Sequence, residues 1–219
     1  MKKYAIIVAG GTGSRMGTAI PKQFLSLGGK PVLTHTVETF LKAYSDLELI
    51  LVLPEVNNEI IKDCDLTNNR IRFAKGGVTR FESVKNGLAL VEKESIIFVH
   101  DAVRCLVSID LIQRCYEQAM EKGTAIPAIA SRDSIRLADK DGSHALDRNQ
   151  VMLVQTPQVF RGEILIESYK QEYQDKFTDD ASVVEGFGYR VDLIRGEENN
   201  LKITTPIDLL IAEKLLANS

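Results

Sequence analysis

Short apolar, β-branched runs recur along this chain with helical patterns between them, and that alternation restricts its fold more than any other feature. It is the sequence sign of a parallel sheet with crossover helices. Residues 4–9 (YAIIVA) read as a first buried strand and 47–53 (LELILVL) as another, with 96–99, 124–130 and 152–155 as further candidates. Thr79-Arg80-Phe81-Glu82 has capping-box spacing, and Val84, Leu88 and Val91 continue a helical face behind it. Ser108 predicts the cap of a helix that carries Leu111, Ile112, Cys115 and Ala119 and stops at Gly123. Thr205-Pro206 opens a last helix, with Leu209, Leu210, Leu215 and Leu216 as its apolar contacts. One segment breaks the alternation. Asp133 to Leu137 has strand character and Asp139-Lys140-Asp141-Gly142 is a turn signal, so a β-hairpin arm is expected to project from the sheet over about 133–150. No linker or repeat divides the chain. The expectation is an α/β fold, a mostly parallel sheet flanked by helices, in one domain over residues 1–219.

Charge narrows the partners. A formal net charge of -3 gives no broad electrostatic reason to expect nucleic acid or anionic lipid. Any phosphate chemistry must then come from a local cluster of basic groups. The apolar run after Met1-Lys2-Lys3-Tyr4 is too short for a signal-peptide core, and no stretch approaches a membrane span. Cys64, Cys105 and Cys115 form no CxxC pair and read as reduced, buried thiols, which points to the cytoplasm. His35, His100 and His144 lack metal-ligand spacing, so no zinc site is expected.

The first strand empties into Ala9-Gly10-Gly11-Thr12-Gly13-Ser14-Arg15-Met16-Gly17, followed by Pro21-Lys22-Gln23-Phe24. Glycines let a backbone approach a phosphate chain, and successive amides can point at its oxygens. Arg15 and Lys22 add charge suited to a phosphorus centre whose oxygens gain charge during displacement. Three readings compete. A Walker loop needs Gly-Lys-Ser/Thr, which is absent. A dinucleotide turn wants GxGxxG, and Met16 occupies its last glycine position, although Glu55 could imitate the ribose-binding acid. The third is a tight turn with two solvated basic residues.

Further along, Val99-His100-Asp101-Ala102-Val103-Arg104 places an acid and a base just past a buried strand, where Asp101 could meet a metal ion or a ribose. A surface ion pair is the plainer alternative. Gly76-Gly77-Val78-Thr79-Arg80 precedes a helix, where amides and Ser83 could read a base edge, or it is simply a turn and a cap. Asp147-Arg148-Asn149, Thr156-Pro157-Gln158, Thr178-Asp179-Asp180-Ala181-Ser182 and Asn200-Leu201-Lys202-Ile203-Thr204 are unremarkable one by one.

Together, in this order, these blocks resemble the 2-C-methyl-D-erythritol 4-phosphate cytidylyltransferases of the non-mevalonate isoprenoid pathway. The specific pieces are Gly13-x-Arg15-Met16 with Pro21-Lys22-Gln23, His100-Asp101-Ala102-x-Arg104, Gln155-Thr156-Pro157-Gln158-x-Phe160, Thr178 to Ser182, and Lys202-Ile203-Thr204. The resemblance implies a Rossmann-like domain whose hairpin arm builds a homodimer. It implies attack by the phosphate of a small polyol phosphate on the α-phosphate of CTP, with Mg²⁺ assisting and pyrophosphate leaving. By position, Arg15 and Lys22 would stabilise the transition state, and Arg148 and Lys202 would hold the acceptor phosphate. Asp101, Arg104, Ser134 and Thr156 would be further acceptor or nucleotide contacts. The backbone at Ala9, Gly10 and Gly77 with the Ser83 hydroxyl would read cytosine, with Gly11 and Gly13 beside the phosphates.

The chain departs from the family pattern in three places. Cys105 stands where Pro is usual, Asp133-Ser134-Ile135-Arg136 replaces Asp-Thr-x-Lys, and Ala9-Gly10-Gly11 replaces Ala-Ala-Gly. The last variant also occurs in ribitol 5-phosphate cytidylyltransferases, which are the nearest rival. A CTP-sensing module and an NAD-dependent oxidoreductase are rivals from other classes.

Overall fold

Tyr4, Ala5, Ile6 and Ile7 are all buried in the first strand, β1 (Lys2–Val8), two toward each face. A strand covered on both faces needs helices above and below its sheet, and the element order supplies them. After a 3-10 turn at Lys22–Phe24 come β2 (Ser26–Leu27), β3 (Lys30–Pro31), α1 (Val32–Ala43), β4 (Leu47–Leu53), α2 (Asn58–Asp63) and β5 (Ile71–Lys75). Then follow α3 (Arg80–Leu88), β6 (Ser95–Asp101), α4 (Ile109–Lys122), β7 (Thr124–Ala130), β8 (Ile135–Asp139) and β9 (Gly142–Leu146). The last stretch holds β10 (Met152–Val154), β11 (Gln158–Arg161), α5 (Gly162–Ser168), α6 (Asp180–Gly186), β12 (Leu193–Arg195) and α7 (Pro206–Leu216). The computed structural model describes residues 1–10, 20–54 and 58–217.

The main sheet runs β10-β7-β11-β6-β1-β4-β5, with β12 attached to β7. Strands β6, β1, β4 and β5 are parallel, as is β12 to β7, whereas β10 and β11 run against their neighbours. The period-2 pattern of these strands divides the core in two. Ala5, Ile7, Leu49, Leu51 and Phe98 pack with Phe40 of α1 and Leu111 and Ile112 of α4. Tyr4, Ile6, Ile50, Val52, Ile97 and Val99 pack with Phe81 and Val84 of α3 and Leu165 of α5. Gly87 lets α3 close on β1, since a Cβ there would lie 2.7 Å from Ile6 Cγ2. A smaller cluster of Leu27, Val32, Val103, Cys105, Ile203 and Ala212 seats α7, and it is here that Cys105 is buried.

The predicted mostly parallel sheet and the hairpin are both present. Strands 47–53 and 124–130 have the expected bounds, while the first strand runs from Lys2 to Val8, starting two residues earlier and ending one earlier than expected. The Ser108 cap, the left-handed Gly123 stop (φ 93°) and the Thr79 capping box are as expected. Strands β2, β3, β5, β11 and β12 are additional; each is short and carries polar residues. The arm pairs Ile135 with Leu146 through to Asp139 with Gly142, and residues 136–150 are exposed throughout.

Register sets the site. Val8 lies opposite both Val52 and Asp101, so β1, β4 and β6 end at one level. From β1 the chain moves outward through β4 to β5 and then returns to the other side of β1 as β6. Ligands of open α/β sheets gather at the carboxyl ends of strands where the order reverses in this way.

Candidate active site

A cleft of about 200 Å³ opens at that edge, lined by Ala9, Gly10, Lys22, Gln23, Gly77, Val78, Thr79, Arg80, Ser83, Asp101 and Lys202 among others. Its walls are held by their own hydrogen bonds. The Ala9 amide donates to Val52 O (2.9 Å), and its carbonyl accepts from Gln23 Nε2 (2.6 Å). Gln23 is fully buried, so this bond ties the turn carrying Lys22 to the end of β1. Opposite, the Glu82 carboxylate accepts from the amides of Val78 (2.6 Å) and Thr79 (3.2 Å), while Ser83 Oγ accepts from Gly77 N (3.0 Å) and donates to Thr79 O (2.9 Å). A Cβ on Gly77 would lie 2.2 Å from Glu82 Cβ, so only glycine fits that wall.

The floor is a charge network. Asp101 Oδ1 accepts from Arg80 Nε (3.3 Å), and Asp101 Oδ2 pairs with Lys202 Nζ (2.7 Å), with Arg104 Nε at 4.0 Å. Arg80 Nη2 donates to Asp180 Oδ2 (2.7 Å), and Tyr169 OH donates to Asp180 Oδ1 (2.6 Å). Burial alone would raise the pKa of Asp101; Arg80, Lys202 and Arg104 outweigh it and hold the carboxyl well below the usual range. Behind it, Thr156 Oγ1 accepts from Asp101 N (3.1 Å) and donates to His100 Nδ1 (3.1 Å), whose Nε2 faces Arg104 O (3.2 Å). Burial pushes His100 down to about 3, so it is a neutral strut. Two carboxylates thus face three cations, and the surplus positive charge opens on the cleft.

This constellation belongs with a whole-chain likeness. The sequence profile of 2-C-methyl-D-erythritol 4-phosphate cytidylyltransferase matches residues 4–218. The chain belongs to that family. A 2-C-methyl-D-erythritol 4-phosphate cytidylyltransferase of Phocaeicola vulgatus is 51% identical over 99% of this chain and 100% of its own length, and one of Bacteroides thetaiotaomicron is 48% identical over the same shares. Among solved structures, the 4-diphosphocytidyl-2C-methyl-D-erythritol synthase of Anaerococcus prevotii superposes with a TM-score of 0.84 at 30% identity, covering 99% of this chain and 96% of that one. The Thermus thermophilus 2-C-methyl-D-erythritol 4-phosphate cytidylyltransferase gives 0.79 at 31%, covering 99% and 100%.

Membership in this cytidylyltransferase family makes the chain a nucleotidyltransferase, and neither the oxidoreductase reading nor the ribitol alternative is favoured. Of the residues singled out in the sequence, Ala9, Gly10, Lys22, Gly77, Ser83, Asp101 and Lys202 line one cleft. Gly11, Gly13, Arg15 and Glu55 lie outside the described residues. Thr156 and Arg104 are turned inward. Thr156 is buried, and Arg104 donates to Asn200 O (2.8 Å) and Val154 O (3.4 Å), bracing the segment that carries Lys202. Ser134 and Arg148 sit on the exposed arm, where Arg148 Nη1 donates to Arg132 O (3.3 Å), and neither lines the cleft of its own chain.

Sequence reasoning passed over Arg80, Gln23 and Asp180. The available signals were weak: Arg80 sat inside a turn-and-cap segment, and Asp180 beside the capping Asp179 looked like a second cap. For a metal ion, Asp101 is the one carboxylate among the described lining residues, and no cluster of three His, Cys, Asp or Glu side chains occurs among the described residues. Asp101 would hold Mg²⁺ only after releasing Lys202 or Arg80 from one oxygen, with phosphate oxygens and water as the remaining ligands of the ion.

Proposed function

We propose that this chain transfers CMP from CTP to the phosphate of 2-C-methyl-D-erythritol 4-phosphate, releasing pyrophosphate, in isoprenoid precursor biosynthesis. The observation that carries the reading is the surplus of positive charge around Asp101 at the carboxyl end of β6, in a cleft walled by the Gly10 and Gly77 turns. An oxygen of the acceptor phosphate attacks the α-phosphorus, a new P–O bond forms, and the bond to the bridging oxygen of the β-phosphate breaks. Lys22, with Arg15, meets the charge that grows on the α-phosphate oxygens, and Lys202 holds the acceptor phosphate. Positioning and charge neutralisation suffice for such a step, so no covalent nucleophile is needed. Asp101 is the side chain that would hold Mg²⁺ beside the triphosphate, and the ion would then supply further neutralisation of charge on the leaving pyrophosphate.

The same reading makes the protein a soluble, cytoplasmic homodimer that engages neither nucleic acid nor membrane. Three buried free thiols suit a reducing compartment, and no helix among the described residues is long and apolar enough to cross a membrane. The arm and its root expose Leu137, Leu146, Met152, Leu153 and Val154. An isolated two-stranded hairpin is marginal in water, and a twofold partner would cover these side chains and bring Arg148 and Ser134 to the other subunit's cleft.

Pyrophosphate release from purified protein, CTP and Mg²⁺ tests the reaction. Turnover is expected with 2-C-methyl-D-erythritol 4-phosphate, with far less for ribitol 5-phosphate or when UTP replaces CTP. Equal or greater turnover with ribitol 5-phosphate would move the assignment to the rival acceptor.

A further inference from the structure

The buried end of the charge network does work that the cleft alone does not explain. Asp180 is 0% exposed and lines no part of the cleft. Nor is it a helix cap, because Asp179 fills that role, accepting from Ser182 N (2.8 Å), and is itself held by Gln158 Nε2 (2.8 Å). Both oxygens of Asp180 are committed, one to Arg80 and one to Tyr169. A buried ion pair is a poor way to join α3 to α6, since desolvation consumes most of its attraction and apolar side chains of similar size would serve as well. The other side of Arg80 lines the cleft and reaches Asp101.

We infer that Asp180, supported by Tyr169, is a positioning residue for the reaction: it anchors Arg80 so that Arg80 neutralises Asp101 and leaves Lys202 able to turn to a substrate phosphate. The inference rests on the proposed cytidylyl transfer. Arg80 is gripped at one end by the shorter bond to Asp180 and presents Nε to Asp101 from a fixed direction. Lys202, 39% exposed against 28% for Arg80, is the more solvent-facing partner of the same carboxylate. Without the anchor the guanidinium is free to pivot into the cleft, and the Asp101–Lys202 geometry loses its reference.

The test is a double-mutant cycle on the full-length enzyme with Arg80→Gln, Asp180→Asn and the pair, each checked for folding by circular dichroism. Each single change is expected to lower kcat about tenfold or more, with the KM for CTP within about threefold, because the polyphosphate keeps its other contacts. The double variant is expected to match Arg80→Gln alone, since the two residues act as one unit. Tyr169→Phe, a milder change that folds more readily, is expected to lower kcat severalfold in the wild-type background and not at all beside Arg80→Gln. Asp180→Glu is expected to recover part of the lost turnover. Wild-type kcat in Asp180→Asn, or losses that multiply in the double variant, would overturn the inference while leaving the reaction assignment intact. No pyrophosphate release by the wild type would take both down together.

Discussion

Lys22 and His100 show two ways in which a single side chain serves this site. Lys22 is carried to the cleft by its neighbour, since buried Gln23 bonds the Ala9 carbonyl. Its charge is proposed to meet oxygens that become more negative in the transition state, so its loss should appear in turnover more than in binding. Lys22→Ala is expected to lower kcat by about 10²-fold or more in steady-state assays, with a smaller rise in the KM for CTP. His100 acts without charge. It is neutral in the folded protein down to about 3, whereas the unfolded chain takes up a proton near 6.5. Below pH 6.5 the unfolded state therefore binds more protons, and stability falls by about 1.4 kcal/mol per pH unit from this group. Urea midpoints are expected to fall from pH 7 to pH 5, more steeply below pH 6 than above it, and His100→Gln should flatten the fall. Asp101, held low by its cations, adds its own loss only at more acidic pH.

At the scale of elements, the site is a set of strand ends with a capped helix leaning over them. The Gly77 wall is the least forgiving part. Gly77→Ala must push the Glu82 side chain aside, which breaks the capping box of α3. A cost of about 1–3 kcal/mol is expected from such overpacking, read as a lower thermal midpoint together with weaker CTP binding by calorimetry. The strands beneath were legible because they are buried on both faces, and LELILVL leaves no alternative period. Strand β11 was not, because its Gln158 and Arg161 broke the apolar run, although its middle residues are buried against β6. The same limit hid the network. A capping box such as Thr79 to Glu82 is local and can be read from spacing. The Arg80–Asp180 pair joins residues 100 positions apart and has no local signature. Thr156 illustrates the converse: its block was recognised, but only the fold reveals that its hydroxyl braces His100 and Asp101.

For the molecule as a whole, the cleft of one chain is short of part of the proposed machinery, because Arg148 and Ser134 lie on an exposed arm and not among its lining residues. Subunits that exchange arms would complete each other's sites, and this makes a sharp expectation for mixed assemblies. Lys22→Ala and Arg148→Ala chains, each nearly inactive alone, should regain about a quarter of wild-type activity after mixing, because random pairing leaves one intact site in half of the dimers. No recovery, with light scattering showing monomers that are fully active in the wild type, would remove the arm from the mechanism.

Strand β11 also imposes an order on biosynthesis. It lies in the middle of the main sheet, between β6 and β7, yet it is made only when residues 158–161 are reached. A nascent chain that has emerged as far as Gln155 already presents Ile96 to Val99, apolar toward both faces, on a strand that still lacks one neighbour. Such an open edge is a template for foreign strands, and partly made chains with exposed edges are prone to aggregate. A codon-level pause placed between the coding regions of β6 and β11 is therefore expected to reduce soluble yield more than one placed after Arg161.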